Sequence, residues 1–228
     1  MHILTSIIRL PEISLLTRDA HKLRGFFGNL FKEKSPLLHN HFDDGSLVFK
    51  YPLVQYKVIE NIPMLIGLNE GAELLTSLFL KMKELDINGK TYPINYKNIE
   101  NKKCEFGLCP ELHEYSFKTL WMGLNQENYE KYNQLKKYAD ESGIPHILTK
   151  ILVGNILSFF KSTGYHADNT ILLKTHLKEK TTGFKGNKML AFEGNFIANV
   201  LLPQYIGLGK SVSRGFGTIV ETATSGLT

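Results

Sequence analysis

Cysteine is scarce: Cys104 and Cys109 are the only two in 228 residues. That excludes a disulfide scaffold and suits a reducing cytoplasm, the expected location. No run of eighteen or more apolar residues occurs, so the sequence predicts no membrane span. The start, Met1-His2-Ile3-Leu4-Thr5, has neither the basic opening nor the small-residue cleavage site of a signal peptide. There is no low-complexity stretch and no residue-level repeat.

Net charge is also modest, a formal +5. It is unevenly spread. Between residues 174 and 214, Lys174, Lys178, Lys180, Lys185, Lys188, Lys210 and Arg214 stand against only Glu179 and Glu193, so this segment carries the whole excess. Such clustering is the electrostatic footprint of a nucleic-acid surface. A solvated basic hairpin would have the same count.

What the chain does have is the stretch Gly207-Leu208-Gly209-Lys210-Ser211-Val212-Ser213-Arg214-Gly215-Phe216-Gly217, with four glycines, two cations and two hydroxyls in eleven residues. Glycine lets a ligand approach the main chain closely, and successive N–H groups in such a loop can form an anion-binding concavity. Lys210 and Arg214 add full charge, which suits phosphate. The loop is not a nucleotide P-loop, because Gln204 stands where the first glycine of that motif belongs. Nor is it a dinucleotide fingerprint, which needs a glycine at Val212 and a long βαβ unit.

Hydrophobic periodicity gives the frame. A strand is expected over 2–8 and a helix over 18–32, with Thr17 as N-cap and an apolar face of Leu23, Phe26, Phe27, Leu30 and Phe31. Residues 46–59 read as two short strands around Pro52 or one bent strand, 62–68 as a strand, 69–82 as a helix and 85–94 as a last hairpin. Residues 95–112, polar and carrying Gly107 and Pro110, read as the linker. The second half is expected to hold a strand at 114–122, with Tyr115, Phe117, Thr119 and Trp121 on one side. Helices at 125–141 and 145–161 follow, then long strands at 171–182 and 188–202. The glycine-rich loop precedes a final strand. The order β-α-β-β-α-β in the first half is ferredoxin-like.

The glycine-rich stretch reads Gly-apolar-Gly, five residues with a cation, then Gly-apolar-Gly. This resembles the C-terminal loop of the CRISPR-associated RAMP proteins, and among them the endoribonucleases that cut CRISPR repeat RNA (pre-crRNA). A glycine-rich turn before an edge strand explains the glycines, but not their spacing, cations and position together. The resemblance implies an α+β chain of tandem ferredoxin-like (RRM-like) halves, 1–105 with the catalytic histidines and 112–228 with the basic hairpin and the loop. It implies RNA contacts from Gly207, Gly209, Lys210, Ser211, Ser213, Arg214, Gly215 and Gly217. Lys174, Lys178, Lys180, Lys185 and Lys188 are expected beside them.

Cutting RNA without a metal needs two proton-transfer groups and stabilisation of an anionic phosphorane, and histidine suits the proton transfers near neutral pH. His39 and His41 fit: two imidazoles one residue apart after the first helix. A local turn or the RNA path must bring both to one phosphate. The resemblance includes a subtype with a His-x-His pair and a nearby tyrosine, which implies His39 and His41 as base and acid and Tyr51 as that tyrosine. Lys50, Lys34 or Lys32 is the expected charge-stabilising cation. His21 is the rival histidine, more simply a helix cap. His176 lies in the basic strand.

Cys104, Cys109 and His113 supply three zinc ligands where a structural site takes four. Glu105, Glu111 or Glu114 is the remaining choice, and two reduced thiols are the plainer account. Asp43-Asp44-Gly45 reads as a turn rather than a magnesium site. No metal and no cofactor is therefore expected. The expected activity is metal-independent cleavage by 2′-OH attack, leaving a 2′,3′-cyclic phosphate or 3′-phosphate and a 5′-OH. CRISPR repeat RNA is the expected partner and a membrane is not; other CRISPR effector subunits and a homodimer stay open. The alternative is a non-cleaving RAMP-fold subunit that holds crRNA, and the histidine pair separates the two. A non-CRISPR RNA-binding protein is the weaker third reading, because aromatic stacking motifs in short strands are not evident.

Overall fold

A computed structural model describes residues 1–31, 51–138, 143–184 and 186–222. They form two compact units. One joins His2–Glu105 with Ser211–Gly215; the other joins Met1, Phe106–Lys210 and the chain from Phe216 on.

In the N-terminal unit, strands β1 (His2–Arg9), β2 (Val54–Ile59), β3 (Ile62–Leu68) and β6 (Asn98–Glu105) form one sheet in the order β2-β3-β1-β6. Every pairing is antiparallel. Helices α1 (Ala20–Leu30) and α2 (Glu70–Leu78) pack on the face that carries Ile8, Tyr56, Val58 and Leu65. α1 contributes Leu23 and Phe27 to that core, followed by Phe31. The Phe27 ring stacks with Phe31 at 6.3 Å and with Tyr56 at 6.2 Å. Burying these aromatic and aliphatic side chains is the main source of stability. Leu30, expected on the apolar face, is instead exposed.

Two further expectations are corrected here. Thr17 does not cap α1; it opens a 3-10 turn, and the Asp19 carboxylate accepts the Leu16 N–H at 3.1 Å. Residues 95–112 are not a linker. They hold β6, paired with β1 along its whole length, and the start of β7 (Gly107–Phe117). β6 lies at the sheet edge, where one side meets water, so Asn101, Lys102 and Lys103 are compatible with a strand. The fourth strand of the ferredoxin-like set is thus β6. The hairpin β4 (Glu84–Ile87) and β5 (Lys90–Pro93) forms a separate two-stranded sheet.

In the C-terminal unit, helices α3 (Gln126–Lys137) and α4 (Gly143–Ser162) follow β7, then come β8 (Leu173–Phe184), β9 (Asn187–Leu201) and β10 (Ile219–Glu221). The sheet order is β10-β7-β9-β8, again antiparallel and again with the fourth strand beside the first. The Asn125 side chain caps α3 by accepting the Asn128 N–H at 2.7 Å. Tyr115, Phe117, Thr119 and Trp121 are all buried, the last with its Nε1–H donated to Asn155 of α4. α4 is long and apolar enough to cross a membrane by length and composition alone. In this fold its Leu148, Leu152, Ile156, Phe159 and Phe160 are buried.

The two units differ at one point that matters. Where the N-terminal unit has α2 between its third and fourth sheet strands, the C-terminal unit has residues 202–218. They hold no α-helix, only a 3-10 turn at Val212–Arg214. The glycine-rich stretch takes the place of a helix.

Candidate nucleic-acid interface

The base of the glycine-rich loop is fixed by backbone hydrogen bonds. Leu208 N–H donates to the Gly217 carbonyl at 2.9 Å, Gly217 N–H to Leu120, and Lys210 N–H to Met122 at 2.8 Å. Gly207 and Thr218 pair as an isolated bridge. Gly217 has φ +62°, and a Cβ there would overlap the Leu208 carbonyl oxygen. Only glycine meets both demands.

The tip, Ser211–Gly215, belongs to the N-terminal unit. There the 3-10 turn packs against α1 and β2, with Gly215 (φ +91°) so close to Ala20 and the Tyr56 carbonyl that a Cβ would crowd both. Arg214 and Gly215 N–H groups donate back to Ser211 and Val212. Five N–H groups of the loop are therefore engaged within the protein. The charged side chains are the chemistry it presents: Lys210 is exposed and Arg214 half-buried, whereas Ser213 is buried.

Arg24 lies one helical turn after Ala20, on the side of α1 that meets this tip. Its guanidinium is held below its ordinary pKa, first by burial and next by the positive charge of Arg214. Guanidinium groups are chemistry that suits phosphate. The next residue of β2 after Tyr56, Lys57, points to the other face of the strand and is fully buried, with no hydrogen-bond partner for Nζ. Burial lowers its pKa to about 7. With no exposed surface it cannot reach a ribose proton, so its effect is on stability. Sequence reading singled out neither Arg24 nor Lys57, because the closeness of Arg24 to Arg214 and the burial of Lys57 are tertiary relations.

The basic hairpin divides by face. Side chains alternate along β8, and Glu179, bonded by Tyr132 and Lys136 of α3, marks the helix-facing side. Lys174, His176, Lys178 and Lys180 share the opposite face and are all exposed, a cationic row with a repeat of about 6.8 Å. Lys180 also pairs with Glu193 at 3.1 Å. Lys188 sits opposite Gly183 in the register, so it lies on the other face, apart from the row.

Of the remaining expected residues, His39, His41, Lys50, Lys32, Lys34, Asp43, Asp44 and Lys185 lie outside the described residues. Tyr51 is half-buried just ahead of β2 and makes contacts of its own. His21 donates Nδ1–H to the Arg18 carbonyl at 2.7 Å, as a helix-start histidine does. Cys104 is on β6, with Sγ 3.5 Å from Thr5 Oγ1, while Cys109 and His113 are in the C-terminal unit. The expected set of Cys104, Cys109 and His113 is therefore divided between units.

Residues 1–105 match the Cas6b N-terminal domain and residues 107–222 the Cas6b C-terminal domain. The chain belongs to the Cas6b family. A crystal structure of Cas6b is similar at 39% identity with a TM-score of 0.91, covering 97% of this chain and 100% of that one. A crystal structure of a CRISPR RNA processing endoribonuclease Cas6b is similar at 34% identity and a TM-score of 0.78, again covering 97% and 100%. An uncharacterised protein of Methanocaldococcus jannaschii is 37% identical over 147 residues, 63% of this Cas6b chain and 96% of the relative.

Proposed function

We propose that this Cas6b chain is an endoribonuclease that processes CRISPR RNA, cutting the repeats of a pre-crRNA into guide units. The observation that carries the reading is the glycine-rich loop in the place of a helix, with Arg214 at its tip beside Arg24, in a chain that matches Cas6b along both halves. RNA is held through its phosphates by Arg24, Arg214, Lys210 and the row Lys174, Lys178 and Lys180. The loop glycines shape the approach. Phosphate contacts position the RNA, and base contacts or hairpin shape specify it.

In this reading the reaction needs no metal. One of His39 and His41 takes the proton from the ribose 2′-OH, and the 2′-oxygen attacks the adjacent phosphorus. The bond from phosphorus to the 5′-oxygen breaks, and the other histidine protonates that oxygen. The products are a 2′,3′-cyclic phosphate and a 5′-OH. Lys50 offsets the phosphorane charge and Tyr51 orients the scissile phosphate. The place of action is the cytoplasm. RNA is the one partner this chemistry requires; further effector subunits or a second copy are additions to it.

The test is incubation of the cognate repeat RNA with the protein in EDTA, with His39→Ala and His41→Ala alongside. Cleavage that persists in EDTA and falls by about 10²–10⁴ in either variant supports the reading. Tight binding without cleavage by the folded wild type moves the chain to the role of a crRNA-holding subunit. Cleavage that stops in EDTA contradicts the metal-free mechanism.

A further inference from the structure

β7 is irregular in the middle. Leu108 pairs with Val200, yet the next pair is His113 with Ala198, so residues 109–112 of β7 stand opposite Asn199 alone. In a regular strand the alternate positions Cys109, Glu111 and His113 would share one face but spread over roughly 13 Å; in the bulge their side chains come together. The Cys109 sulfur, a Glu111 carboxylate oxygen and a His113 ring nitrogen all lie within 4.8 Å of one another.

His113 is already oriented as a metal-bound histidine is. Its Nδ1 lies 2.7 Å from Oε1 of Glu221 on β10, which leaves Nε2 as the nitrogen with a lone pair to offer. That Nε2 is buried and has no hydrogen-bond partner. A buried, unsatisfied polar atom is costly unless something meets it. The Cys109 thiol donates to the Glu111 backbone carbonyl, 3.3 Å away, a contact that a thiolate would give up.

We propose that Cys109, Glu111 and His113 bind a zinc-class divalent cation, with water as fourth ligand and Glu221 as the carboxylate that orients His113. Thiolate with imidazole selects zinc over magnesium or calcium. Ligand atoms around tetrahedral zinc sit roughly 3.4–3.8 Å apart, so small shifts within the bulge close the site. The ion fixes the bulge and, through His113 and Glu221, the strand that receives the end of the glycine-rich loop. It takes no part in cutting RNA, so the proposal stands apart from the metal-free mechanism.

Cobalt tests it in the full chain. Titration of metal-stripped protein with Co²⁺ is expected to produce a thiolate-to-cobalt absorption band that saturates at one ion per chain and is displaced by Zn²⁺. Cys109→Ser removes the band, and Glu221→Gln keeps it while weakening affinity about 10–100-fold. Glu111, being exposed, can be changed without risk to the fold, and Glu111→Gln also weakens binding. A folded wild type with no thiolate band overturns the proposal. So does a band that survives Cys109→Ser, or an affinity unmoved by both glutamate changes.

Discussion

Gly217 and Leu208 close the base of the glycine-rich loop: Leu208 donates its N–H to the Gly217 carbonyl at 2.9 Å, and a Cβ on Gly217 would overlap the Leu208 carbonyl oxygen. Alanine at 217 must therefore shift the backbone as well as adopt an unfavourable φ. Gly217→Ala is expected to cost at least about 1–3 kcal/mol and to weaken RNA binding, read by denaturant unfolding and a binding titration. Gly154 in α4 is the contrast. It has open space around it, and Gly154→Ala is expected to add about 0.5–1 kcal/mol. Equal effects at the two positions would contradict this view of the loop.

Arg24 and Arg214 bear on one phosphate in this account. Either change to glutamine is expected to lower RNA affinity and to flatten the plot of log affinity against log salt by about 0.7, the value for one contact to a single strand. The double change is expected to fall short of the sum, because the two side chains share a partner. Full additivity, or an unchanged slope for Arg24→Gln, would remove Arg24 from the interface.

Lys57 makes stability depend on pH. Its pKa falls from 10.5 unfolded to about 7 folded, so between those values the unfolded chain binds the extra proton. Stability then rises as pH climbs from about 7 toward 10.5, and below about 7 the full cost of a buried charge remains. Lys57→Met is expected to be more stable at pH 7 by on the order of a few kcal/mol, with the advantage shrinking as pH rises through that window. Urea unfolding of both proteins at several pH values measures it; a constant difference would mean that Lys57 does not titrate in the fold.

The loop was legible because its signal is local: glycines at fixed spacing with cations between them need no partner to be recognised. Its place in the fold was not, since nothing near residue 207 says that a helix has been replaced or that Arg214 meets Arg24. β6 was missed for a different reason. Asn98–Glu105 is an edge strand whose charged residues face water, so it lacks the apolar alternation that marks a strand in sequence. The lysines of the hairpin were visible as a cluster, but only the register of β8 on β9 sets Lys188 on the face opposite Lys174, Lys178 and Lys180. Likewise Cys109, His113 and Glu111 were visible as candidate metal ligands, while the choice of Glu111 over Glu105 and Glu114 depends on the bulge in the pairing of β7 with β9.

The central claim is that the RNA supplies its own nucleophile. The most direct measurement uses the cognate repeat with a single 2′-deoxy nucleotide at the scissile position, comparing binding and cleavage with the all-ribose strand. The account predicts unchanged affinity and no cleavage at that site. Cleavage of the deoxy substrate at the normal rate would contradict it.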